Sequence, residues 1–139
     1  MTEKAAIAHI LSTCRTVAVV GLSPKPQRAS FDVSRYMQVQ GWRVVPINPV
    51  AAASGTLILG EKVYATLTEA AQHEAIDLVN VFRNAEDVPP VVDEAIGLGM
   101  PALWLQLGIS HEAAAAKARA AGLHVVQNKC LKVEHALHA

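Results

Sequence analysis

The chain has 139 residues, 52% of them hydrophobic, enough for one compact domain with a sizeable core. Twelve basic and twelve acidic residues balance, so the basic surplus that broad binding to nucleic acid or to an anionic membrane needs is missing. No apolar run approaches a membrane span, and the first residues lack a charged segment followed by a long apolar one; the expectation is a soluble cytoplasmic protein.

Taken in order, Ile7, Ile10 and Leu11 fall at helical spacing and predict a short amphipathic helix over 3–12, with Thr2 as N-cap. Residues 17–20, Val-Ala-Val-Val, are apolar without alternation. That pattern predicts a strand covered on both faces, as at the centre of a parallel sheet. Gly21-Leu22-Ser23 ends it at once. Val33, Tyr36, Met37 and Val39 predict a crossover helix over 30–40, stopped by Gly41. Residues 42–47 predict a second strand, with Pro46 near its end and Asn48-Pro49 closing it. The small, irregular residues 50–60 read as a loop. Residues 61–64 predict a short extended piece, and 68–71 a helix of one or two turns capped by Thr66 or Thr68.

Ile76 to Phe82 reads as the third strand, ended by Arg83-Asn84. A helix over 86–98 follows, with Pro89 and Pro90 in its first turn, where the amides have no partner within the helix. Residues 102–105 are the fourth strand, 111–121 a helix capped by Ser110, 123–126 the fifth strand, and 129–138 a short tail. Strand and helix alternate throughout. The expected fold is therefore α/β: a Rossmann-like, doubly wound parallel sheet of about five strands in a single domain, 1–139.

In such a sheet ligands bind beyond the carboxyl ends of the strands, at the point where the strand order reverses. The sequence puts Gly21, Leu22, Ser23 and Lys25 after strand one, and Asn48 and Pro49 after strand two. Phe82 and Arg83 follow strand three, Gln106, Leu107 and Gly108 strand four, and Asn128, Lys129 and Cys130 strand five. Gly21 allows a sharp turn and a close backbone approach, and a following helix N-terminus would add positive dipole, a combination suited to phosphate. The run Gly21-Leu22-Ser23-Pro24-Lys25-Pro26 is not the full Gly-x-Gly-x-x-Gly fingerprint. Asn48 stands where a nicotinamide enzyme usually carries an acid for the ribose 2′-hydroxyl. Lys25, Arg28 and Arg83, with no carboxylate among them, suit a ligand with several phosphates or are solvated loop charges. Valine at Gly21 is expected to block the pocket without unfolding the domain.

Five stretches taken together resemble a known family: Val17-Ala-Val-Val-Gly-Leu-Ser-Pro-Lys-Pro, Val45-Pro-Ile-Asn-Pro, Gly60-Glu-Lys-Val-Tyr-Ala-Thr-Leu, Val81-Phe-Arg-Asn and Leu103-Trp-Leu-Gln-Leu-Gly. They are similar to the small stand-alone CoA-binding proteins, which are themselves similar to the N-terminal CoA-binding domain of the succinyl-CoA synthetase α-subunit. The likeness runs from about Cys14 to about His135. It implies binding of coenzyme A or an acyl-CoA. By position, Gly21, Leu22, Ser23 and Lys25 would hold phosphates, with Arg28 and Ser30 as further contacts. Asn48 and Pro49 would line the nucleotide side, Val81, Phe82 and Arg83 would border adenine and ribose, and Gln106 to Gly108 would face the pantetheine end. The synthetase's ligase chemistry resides in a phosphorylated histidine of a second domain and in a β-subunit, and neither has a counterpart in these residues. The resemblance therefore implies binding and gives no support for thioester synthesis.

The residues assign no catalytic group and no metal site. Ser23 lacks a base and a Gly-x-Ser-x-Gly setting. His135 and His138 stand at ligand spacing near the end of the chain with no further ligand, as a solvated tail would. Cys130, between Lys129 and Lys132, is either a structural thiol or one that forms a mixed disulfide with the coenzyme thiol. The alternatives to a binding module are a subunit or accessory of an acyl-CoA or NAD-linked enzyme with catalytic groups supplied by a partner, and an interaction protein with a vestigial pocket.

Overall fold

Five strands, β1 (Thr16–Val20), β2 (Arg43–Ile47), β3 (Leu78–Val81), β4 (Ala102–Leu105) and β5 (His124–Val126), pair in the order β2-β1-β3-β4-β5. Every pairing is parallel. The chain is seen here in a computed structural model, which describes residues 2–138. Around the sheet lie seven α-helices among the described residues: α1 (Glu3–Thr13), α2 (Ala29–Val39), α3 (Pro49–Ser54), α4 (Leu67–Ala71), α5 (Val88–Gly97), α6 (Glu112–Ala120) and α7 (Leu131–His138). None is long and apolar enough to cross a membrane. The expected doubly wound sheet is the fold observed.

Alternation along the strands divides the core in two. Ala18, Val20, Val45, Val79 and Val81 pack with Leu67, Val92, Ala115 and Ala118 of α4, α5 and α6. Val17, Val19, Val44, Leu78 and Trp104 pack with Ile7 and Ile10 of α1, Met37 of α2 and Leu131 of α7. All of these are buried, so both faces of the strands need apolar side chains; the exceptions are Thr16, Arg43 and His124 at strand starts and the buried Asn80 within β3.

The amino ends of the strands are tied by charge. The Asp77 carboxylate accepts from the backbone amides of Arg15 (3.0 Å) and Thr16 (2.8 Å). Arg43 grips Glu74 with two nitrogens, at 2.6 and 2.8 Å, and that contact holds the Glu74 carboxyl below its usual range. Loops containing glycine, serine and asparagine gather at the carboxyl ends.

Three local expectations change. Residues 50–60 are not all loop, because α3 occupies Pro49–Ser54. Asn48 caps it, Pro49 sits at its first position, alanines propagate it and Gly55 (φ 71°) ends it. The helix over 86–98 divides into a 3-10 turn, Ala85–Asp87, and α5. The cap of α6 is His111, whose Nδ1 accepts from the Ala114 amide, and not Ser110.

Candidate functional site

The turn after β1 is built by close backbone approach. Gly21 has φ 90°, and a Cβ there would stand 2.3 Å from the carbonyl oxygen of Phe82, which follows β3. Its amide also extends the ladder to Ile47, at 3.0 Å. The glycine is therefore required by the meeting of two strand ends. Valine would drive Cβ into backbone, so the expectation that it blocks a pocket while sparing the fold is overturned. Beyond it, Leu22 turns its side chain fully into the core beneath α2. The Ser23 amide donates to Ser30 Oγ (3.0 Å), and Ser23 Oγ accepts from the Lys25 amide (3.1 Å). Ser23 and Ser30 thus knit the loop to the first turn of α2.

Two helices begin at this edge of the sheet, and their N-termini differ. At α3, Asn48 Oδ1 accepts from the amides of Val50 (3.0 Å) and Ala51 (3.1 Å), while its Nδ2 donates to the Leu22 carbonyl (3.0 Å). The helix end is closed by its own side chain. At α2 the N-cap is Arg28, which makes no side-chain capping bond. A hollow of about 370 Å³ lies against that end, lined by Gly21, Ser23, Lys25, Arg28, Ser30 and Phe82, with Ala29 between. The first amides of a helix carry partial positive charge, and two exposed cations stand beside them here.

The hollow opens into a larger cleft of about 900 Å³; Phe82 and Ala29 line both. Arg83 and Glu86, Gln106, Leu107 and Gly108, and Cys130, Lys132 and Val133 line the cleft. Across it, Lys132 reaches Asp32 of α2 at 2.9 Å and holds that carboxyl below its usual range. Gln106 is buried, and its Oε1 accepts from Asn80 Nδ2 (3.4 Å) and the Leu131 amide (3.3 Å). Two donors on one oxygen fix the carboxamide, which leaves its Nε2 donor for the cleft that the side chain lines.

Of the residues singled out from sequence, Gly21, Ser23, Lys25, Arg28, Ser30, Phe82, Arg83, Gln106 and Gly108 line this continuous depression. Leu22, Asn48, Pro49 and Val81 do not. Leu22 and Val81 are core residues on opposite faces of the sheet. Asn48 is engaged by α3 and the Leu22 carbonyl, and Pro49 is the first residue of that helix. Sequence reasoning missed Asp32 and Val133 as lining residues. Both sit on helices, at positions where the sequence shows only an amphipathic face.

The remaining reactive groups have structural surroundings. Burial, aided by Asp77, pushes the Cys14 thiol up to about 11. Lys132, expected to act on Cys130, is bonded to Asp32 instead. His135 Nδ1 meets Tyr36 Oη at 2.9 Å, and its ring lies edge-on to Trp42. Among the described residues no three or more His, Cys, Asp or Glu side chains gather as metal ligands would.

Comparison with known proteins bears on this depression. The sequence model of the family described as CoA binding domain matches residues 15–136. The uncharacterized protein YneT of Bacillus subtilis is 38% identical over 135 residues, covering 97% of this chain and 96% of that one. A solved structure from Thermus thermophilus, cell-free ID.343, superposes with TM-score 0.88 at 34% identity, over 99% of this chain and 98% of that one. The dinucleotide-forming acetyl-coenzyme A synthetase 1 of Candidatus Korarchaeum cryptofilum shares the fold, with TM-score 0.67 at 22% identity over 82% of this chain and 26% of its own. The chain belongs to the CoA-binding domain family.

Proposed function

From that membership we propose that this protein binds coenzyme A, free or as an acyl thioester, with the diphosphate at the open N-terminus of α2 and the pantetheine arm in the larger cleft. The observation that carries the reading is the uncapped end of α2, flanked by Lys25 and Arg28 and continuous with the cleft. Helix amides and dipole favour an anion there, and the two cations add charge-assisted bonds. Arg83, on the cleft wall, can take a further phosphate. The fixed Gln106 carboxamide offers a donor to a carbonyl of the pantetheine arm. Ser23 and Ser30 act here by shaping the loop. The role proposed is binding, as in sensing or delivery of the coenzyme.

Thermal denaturation with coenzyme A, dephospho-CoA, NAD and ATP tests this. Ligand that binds only the folded form raises Tm by mass action, by about 2.7 kcal/mol of stability at a hundredfold excess over Kd. The expected order places coenzyme A above dephospho-CoA, and both above NAD. A larger shift with NAD, or no shift with any nucleotide, would overturn the reading.

A further inference from the structure

The two ends of the depression differ in chemistry. One end has Lys25, Arg28 and the first turn of α2. The other carries side chains that water should not favour: Leu107 is 65% exposed and Val133 is 50% exposed, and with Ile109 they line the cleft beside Cys130. Leu107 lies in the loop after β4, and Val133 on α7 two residues beyond the core anchor Leu131. They come from separate elements and line the same cleft. A ligand that fits the whole depression is therefore anionic at one end and apolar at the other.

The charges at the far end add to this. Lys132 is bonded to Asp32, and Glu86 also lines the cleft. The other lining cation, Arg83, is committed to a phosphate in the reading above, which leaves none for a second carboxylate. A dicarboxylic acyl group would face Glu86 without a partner, at a cost.

We infer that the site selects thioesters of uncharged, aliphatic acyl groups, with Leu107, Ile109 and Val133 covering the acyl chain, over free coenzyme A and over thioesters of dicarboxylic acids. The inference rests on coenzyme binding as read above and adds the acyl class to it. Each methylene removed from water is worth roughly fourfold in affinity when fully covered, and two half-covered methylenes about the same.

Calorimetric titration of the whole protein with coenzyme A, acetyl-CoA, butyryl-CoA and succinyl-CoA is the test. Butyryl-CoA should bind about fourfold more tightly than acetyl-CoA, and succinyl-CoA more weakly than butyryl-CoA. In a Leu107→Ser/Val133→Ser double variant the butyryl-to-acetyl ratio should fall towards one; both positions are exposed, so the fold tolerates the change. Equal affinities across the acyl series, or succinyl-CoA binding as well as butyryl-CoA, would overturn the acyl assignment while leaving coenzyme binding intact. An unchanged ratio in the double variant would likewise overturn it. No heat with any of the four would overturn the underlying reading itself.

Discussion

The turns after β1 and β2 start alike and end differently. Each leaves a buried strand and enters a helix, α2 after residues 21–28 and α3 after Asn48 alone. After β2, one asparagine closes the helix with its own oxygen and holds the neighbouring loop with its nitrogen. After β1, the loop is knitted together by Ser23 and Ser30, but the helix end itself has no side-chain cap and faces a hollow with two cations beside it. A helix N-terminus that satisfies itself is architecture; one left without a side-chain cap, beside a hollow and two cations, suits an anion.

Substitutions should separate the two roles. The largest effect is expected at Gly21, where valine meets the Phe82 carbonyl and a positive φ together. A loss of about 3 kcal/mol in urea unfolding is expected. Wild-type stability would show that the strand ends can part. Next is Asn48→Ala, which removes the α3 cap and the bond to Leu22. It should cost about 2 kcal/mol of stability. If it instead left stability alone and abolished coenzyme binding, the two turns would have been assigned the wrong way round.

Arg28→Ala is the converse. It is exposed and makes no ion pair among the described residues, so stability should stay within about 0.5 kcal/mol. Affinity for coenzyme A should fall about tenfold, by calorimetry. Unaltered affinity would remove the cation from the site.

The smallest effect concerns pH and lies outside both turns. Burial holds the imidazoles of His124 and His135 below their ordinary 6.5. The unfolded chain then takes up protons first as pH falls, so the stabilisation is full above 6.5 and declines below it. Tm should therefore slope downwards from pH 7.5 to 5.5, and less steeply in His135→Phe. An equal slope in that variant would show that His135 does not contribute.

The sheet was legible because its strands are mostly apolar without alternation and separated by glycine and proline stops, as at Val17 to Gly21 and Ala102 to Gly108. The α3 helix was hidden although Asn48-Pro49 is an N-cap followed by a first-position proline; a six-residue helix buries too little to show a periodic face. At the site, loop residues could be placed by counting from strand ends, and most line the depression. Position could not tell which way a side chain turns: Leu22 enters the core one residue past Gly21, and Asn48 turns onto its own helix. The Asp32–Lys132 contact joins residues 100 apart in sequence and leaves no local mark.

The central claim is that an anionic ligand uses the α2 end and ignores the α3 end. Amide NMR spectra recorded while coenzyme A is added to the labelled protein test it most directly. The account predicts large, saturating shifts for the amides of Ala29 and Ser30 and little change at Val50 and Ala51. Shifts centred on Val50 and Ala51, with Ala29 and Ser30 unmoved at saturation, would contradict it.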